Sequence, residues 1–161
     1  MQGNTIFMQK AIALATENVR SGRGGPFGAV IVRGGEIVAT GANLVTATND
    51  PTAHGEIVAI RNACAVLESF QLIGCHIYTS CEPCPMCLAA IYWARCEAIF
   101  YGNCAADAAA AGFDDAFLYE EMKLPLDQRK IPAVSLLPER QFRALRPGVS
   151  TPAESTTKTW R

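Results

Sequence analysis

Two short stretches hold residue types able to bind a metal and move a proton: His54-Gly55-Glu56 and Pro83-Cys84-Pro85-Met86-Cys87. Cys84 and Cys87 are three apart and share one face of any helix that begins there. The proline after Cys84 pushes that cysteine out of the α region, as a cap requires, and Pro85 itself suits a first helical position. Both sulfurs then point at a helix N-terminus, whose positive end favours thiolate, the form that binds zinc. His54 and Glu56 are two apart and would diverge on the side of a helix, but in an opening turn they can converge on a point beyond the helix end. A metal between two such helix starts would take His54, Cys84 and Cys87 as ligands, with Glu56 alongside. Three protein ligands leave a fourth tetrahedral position for water, the mark of a catalytic zinc. Zinc lowers the pKa of that water towards about 7, and an adjacent carboxylate that is not a ligand can ferry its proton.

Two other readings use the same cysteines. Cys81, three residues before Cys84, could complete a closed Cys₃His structural zinc, which would leave Glu56 without a task. Cys81, Cys84 and Cys87 also reproduce the start of a bacterial ferredoxin run, but the next ligand position holds Ile91. Cys64, Cys75 and Cys96 read as buried thiols, and His76 as a strand-edge side chain. Gly22-Arg23-Gly24-Gly25 reads as a turn and not a phosphate loop, because it follows a helix, precedes a strand and has Phe27 in place of the third glycine.

The elements that must position these residues follow from periodicity and punctuation. Helical spacing covers residues 5–21, capped by Asn4 or Thr5 and stopped at Gly22. Residues 28–32 and 36–40 form a hairpin around Arg33-Gly34-Gly35, so the sheet starts antiparallel. Asp50-Pro51-Thr52 opens a second helix through Leu67, and residues 75–79 are a strand. Cys84-Pro85 opens a helix through Ala94; residues 98–101 are a strand, 114–122 a helix and 131–137 a fifth strand. The run at 105–111 is low in complexity. This order implies a three-layer α/β/α sandwich with a mixed five-stranded sheet. Residues 1–146 form one catalytic domain, and the polar, breaker-rich residues 147–161 an extended tail contacting a neighbouring subunit, with Trp160 as its apolar anchor.

Composition narrows the partners. The chain has 161 residues, 50% of them hydrophobic, and 18% charged, below the usual quarter, which suggests surface covered by a second subunit. Fourteen basic against 15 acidic residues, net charge −1, provide no field to gather nucleic acid or an anionic membrane. Small neutral ligands fit better. No apolar run is long enough for a membrane helix and the first 20 residues lack a signal-peptide pattern, so a cytoplasmic protein is expected. Seven cysteines, an odd number in a chain too large to need a disulfide framework, favour metal or buried thiol.

H-x-E followed by P-C-x-x-C is similar to the signature of zinc nucleobase deaminases. Over most of residues 7–137 the chain resembles the cytidine deaminase-like superfamily and, within it, the bacterial guanine deaminases. The matching stretches are Gly24-Gly25-Pro26-Phe27-Gly28-Ala29-Val30, Asn49-Asp50-Pro51-Thr52-Ala53-His54, Tyr78-Thr79-Ser80-Cys81-Glu82-Pro83-Cys84-Pro85-Met86-Cys87, Ala90-Ile91-Tyr92-Trp93-Ala94-Arg95 and Ala111-Gly112-Phe113-Asp114-Asp115. The first four are shared in part with tRNA adenosine deaminases; the last marks the guanine branch.

The resemblance implies zinc on His54, Cys84 and Cys87, Glu56 as proton shuttle and Cys81 outside the shell. It implies a purine pocket in which Asn43 and Asp115 hydrogen-bond the base, Phe27 and Trp93 help form the walls, and the backbone N–H beside Gly55 holds substrate. An activated water would attack C2 of guanine, Glu56 would protonate ring N3 and then the departing amine, and xanthine and ammonia would leave a homodimeric enzyme. The chain departs from the family at Gly55, where alanine is usual, and in its tail, where relatives carry an aromatic lid. The competing readings are a deaminase of another aminopurine, cytosine or an aminotriazine; a tRNA adenosine deaminase, which would need a basic surface; and a zinc-stabilised interaction module without turnover.

Overall fold

The computed structural model describes residues 2–113 and 115–137. Asp114 and the expected tail at 147–161, Trp160 included, lie outside the described residues. The chain divides into two compact units, Met1–Glu120 and Glu121–Arg161.

The first unit opens with helix α1, Thr5–Arg20, whose expected cap is in place: the Asn4 side chain accepts from the Ile6 N–H at 2.9 Å. Strands β1 (Gly28–Arg33) and β2 (Glu36–Ala42) form the expected hairpin. Gly34 and Gly35 both have positive φ, +59° and +82°, the backbone that a two-residue turn between twisted strands requires. Strand β3, Cys75–Cys81, pairs antiparallel with β1, and β4, Ala98–Asn103, pairs parallel with β3. The sheet is therefore mixed, in the order β2-β1-β3-β4.

Alternation along β1 builds two cores. Val30 and Val32 face α1 with Ala11 and Tyr78, and Phe7, Leu14 and Phe100 close around them. Ala29 and Ile31 face the other way, against Ala59 and Ala63 of helix α3 (Gly55–Val66) and against Ile91 and Ala94, at the end of helix α4 (Pro85–Trp93). Helices thus cover both faces of a mixed sheet, the three-layer arrangement expected.

The second helix starts later than Asp50. The Asp50 carboxylate accepts from the Thr52 N–H (2.8 Å) and hydroxyl (2.6 Å) and binds Arg61 (3.2 Å), so residues 50–52 make a side-chain-closed turn, and His54 becomes the cap. Two short helices, α2 (Val45–Thr48) and α5 (Ala105–Ala110), were not expected. The alanine-rich run is helix and not featureless chain, because alanine favours helix and the Asp107 carboxylate accepts from the Cys104 N–H at 2.8 Å. Helix α6 spans Ala116–Lys123.

In the second unit a short 3₁₀ turn, Leu126–Gln128, precedes Arg129, whose Nε donates to the Leu124 carbonyl at 3.0 Å. Residues 131–137, expected as the fifth strand, carry no ladder pairing, and Ile131, Val134 and Leu136 are each about four-fifths exposed. Four strands are seen among the described residues.

Candidate active site and metal centre

His54 and Cys84 are the N-caps of α3 and α4, both in extended backbone (φ −65°, ψ 156° and φ −62°, ψ 168°). Pro85 occupies the first turn of α4 and fixes that geometry. The two helix starts face each other, as their spacing requires. Tetrahedral zinc, with sulfur at about 2.3 Å and imidazole nitrogen at about 2.0–2.1 Å, sets sulfur and nitrogen about 3.5–3.6 Å apart. His54 Nδ1 lies 3.6 Å from Cys84 Sγ and 3.5 Å from Cys87 Sγ, and all three donor atoms are within 4.8 Å of one another.

The electrostatics agree with the distances. A hydrogen bond from the Cys87 thiol, opposed by burial and helped by His54, pulls the Cys84 thiol down to about 4. Its counterpart Cys87 is pushed up, first by Cys84 and then by burial. Contact with Cys84 raises His54. The trio by itself thus favours a single thiolate; two thiolates and a neutral imidazole on one point are the donor set of a zinc ion, which deprotonates its thiol ligands outright. The residues present fit zinc.

Glu56 stands in the first turn of α3, 6% exposed, and burial raises its carboxyl above the ordinary range. The Thr79 hydroxyl donates to its Oε1 at 3.2 Å, with the Cys81 carbonyl at 2.9 Å as an alternative acceptor. Glu56, His54 and Cys84 open onto a cavity of about 450 Å³, within the range of small-ligand sites. Phe27, Asn43 and Asp115 line it as expected. Asn43 is held by its N–H to the Phe27 carbonyl (2.9 Å) and by its Oδ1, which accepts from the Val45 N–H (3.3 Å).

One expected pocket residue is placed elsewhere. Trp93 is the last residue of α4, about 12 Å of helix rise beyond Pro85, 70% exposed and not part of the cavity lining. Gly55 is buried in the first turn of α3, between His54 and Glu56, both of which line the cavity. Cys81 lines the cavity but stands outside the three-residue cluster; its thiol donates to the Cys104 carbonyl at 3.8 Å and burial pushes it up to about 11, so it is a neutral thiol. The residue reading missed Phe113, whose ring meets Phe27 edge-on at 5.1 Å and 87°, as well as Thr79. Phe113 lies inside the Gly-Phe-Asp-Asp stretch and could have been found there; Thr79 had no signal beyond strand alternation.

A zinc-binding pair of helix starts on a mixed sheet defines a class: the chain belongs to the cytidine and deoxycytidylate deaminase zinc-binding family, which matches residues 1–103. Within that family it is 60% identical over 126 residues to the guanine deaminase of Bacillus subtilis (78% of this chain, 81% of that protein). A solved structure of guanine deaminase from Bacillus subtilis superposes with a TM-score of 0.85 at 54% identity, covering 90% of this chain and 94% of that one. A tRNA-specific adenosine deaminase of Aquifex aeolicus is 38% identical over 99 residues (62% of this chain, 65% of that protein). A further solved chain, in complex with 2,6-diaminopurine, has a TM-score of 0.65 at 32% identity over 68% of this chain and 61% of that one. No helix among the described residues is long and apolar enough to cross a membrane.

Proposed function

We propose that this chain hydrolyses guanine to xanthine and ammonia. The observation that carries the reading is the convergence of His54, Cys84, Glu56, Asn43 and Asp115 on one cavity roomy enough for a purine, in a chain 60% identical to a guanine deaminase. The diaminopurine complex of a more distant relative supports a purine as occupant. His54, Cys84 and Cys87 would hold zinc, which when bound would supply a water acidic enough to deprotonate near neutral pH. Phe27 and Phe113, packed edge to face, give the base an apolar wall. Asn43 and Asp115 take hydrogen bonds along the purine edge and fix which carbon faces Glu56. Glu56 accepts a proton from the attacking water and delivers it to ring N3 as the C–O bond forms at C2; it then carries the remaining hydroxyl proton to the amine, and the C–N bond breaks as the C2 carbonyl forms and ammonia leaves.

The free purine base is the substrate, because a net charge of −1 offers no field for tRNA. The enzyme works as a cytoplasmic homodimer, in keeping with seven free cysteines and a charged fraction of 18%. Ammonia release from guanine, adenine, cytosine, guanosine and an aminotriazine tests the reading. Guanine should be turned over fastest; a preference for another base, or turnover only of a tRNA anticodon arm, would replace it.

A further inference from the structure

Asn18 is fully buried in the last turn of α1. It does not line the cavity. Its Nδ2 donates to two backbone carbonyls, those of Gly25 at 2.9 Å and Asn43 at 2.7 Å, and both of those residues do line the cavity. Two carbonyl partners leave the amide one orientation, and its Oδ1 is then buried with no hydrogen-bond partner among the described residues. Gly24 makes room for this junction: a methyl there would collide with the Asn43 carbonyl and come within 3.1 Å of Asn18 Nδ2. Helix α1, the loop before β1 and the segment after β2 therefore meet at one side chain.

We infer that Asn18 is a positioning residue for substrate, acting through Asn43 and Gly25. Its two bonds fix the peptides on either side of the base-facing amide, and the polar edge of the pocket is set from behind by a residue the substrate never touches. This inference rests on the purine-deaminase reading of the cavity.

The test compares Asn18→Asp, similar in shape but with an ionised oxygen where the donor was, and Asn18→Ala, which favours helix and keeps the comparison open if the aspartate variant does not fold. Each is made alone and together with Asn43→Ala, and zinc content, melting temperature, KM and kcat are measured on the base that the wild type turns over fastest. Losing two donor bonds, one to a buried carbonyl and one to a half-buried carbonyl, should raise KM about tenfold or more. Zinc should stay at one per chain and kcat should fall much less than KM rises. In the Asn43→Ala background the rise should largely vanish, because the contact being positioned is gone. A lower melting temperature with unchanged KM, a KM rise that simply adds to that of Asn43→Ala, or loss of zinc would each overturn the inference. A wild type that turns over no base would instead refute the functional reading, and this inference with it.

Discussion

Among the described residues, Glu56 is the one carboxylate that is both buried, at 6% exposed, and open to the cavity beside the metal trio, so it is the group expected to carry protons to and from water, ring and leaving amine. Glu56→Gln should keep zinc and bind guanine but lose about 10²–10⁴-fold or more in kcat. Steady-state kinetics with parallel metal analysis decide this, and wild-type turnover would mean that another group moves the proton. The cysteines separate by environment. Cys84 and Cys87 lie 3.6 and 3.5 Å from His54 Nδ1, whereas Cys81 is a neutral thiol turned to the Cys104 carbonyl. Cys84→Ser should therefore strip the metal and Cys81→Ser should leave one zinc per chain, as atomic absorption would read. Zinc lost equally from both would revive the closed four-ligand site.

At the scale of elements, α3 lies against the sheet through glycines, and two of them have different duties. A methyl at Gly41 of β2 would collide with the backbone of Gly55 and Ala59, where nothing flexible can yield. Gly41→Ala should cost about 1–3 kcal/mol, seen as a lower melting temperature. A methyl at Gly55 would come within 3.1 Å of the Phe27 carbonyl oxygen, which accepts the Asn43 N–H. Gly55→Ala should displace that peptide by a few tenths of an ångström and carry Phe27 and Asn43 with it. The expected result is KM raised by less than about tenfold with a melting temperature close to wild type, since the clash is mild. A fall in stability with KM unchanged would show that α3 moves and the pocket does not.

Among the described residues, the two apolar cores on opposite faces of the sheet include none of the three metal ligands, so the layers are expected to hold together without zinc. Chelation should abolish ammonia release while leaving far-UV circular dichroism intact, with activity restored by added zinc. Unfolding on chelation would point to the structural module. Residues 150–161 carry the remaining expectation, that the tail closes a pocket from the same or a neighbouring subunit. Deleting them should raise KM while zinc content stays at one per chain, and light scattering on the full-length and shortened chains would read whether the oligomeric state depends on them.

The metal trio and Glu56 were legible in the residues themselves, because few side chains bind zinc and a proline beside a cysteine announces a helix start wherever the chain goes next. The hairpin was legible for a similar reason: Gly34-Gly35 between two apolar runs leaves the backbone little choice. What lay beyond the sequence depends on which remote segments touch. Asp50 reads as a helix cap until its carboxylate is seen closing a turn with Thr52 and Arg61. Residues 131–137 have a strand's composition, but ladder pairing needs a partner edge as well as propensity. Trp93 shares a helix with the zinc cysteines, yet helix length carries it away from them. Asn18 gives no local sign of its task, since its bonds reach Gly25 and Asn43 and only folding brings those carbonyls to one amide. Sequence determined which groups can do the chemistry, because that is a property of side chains; tertiary structure decided which of them meet and what holds them, because that is a property of packing.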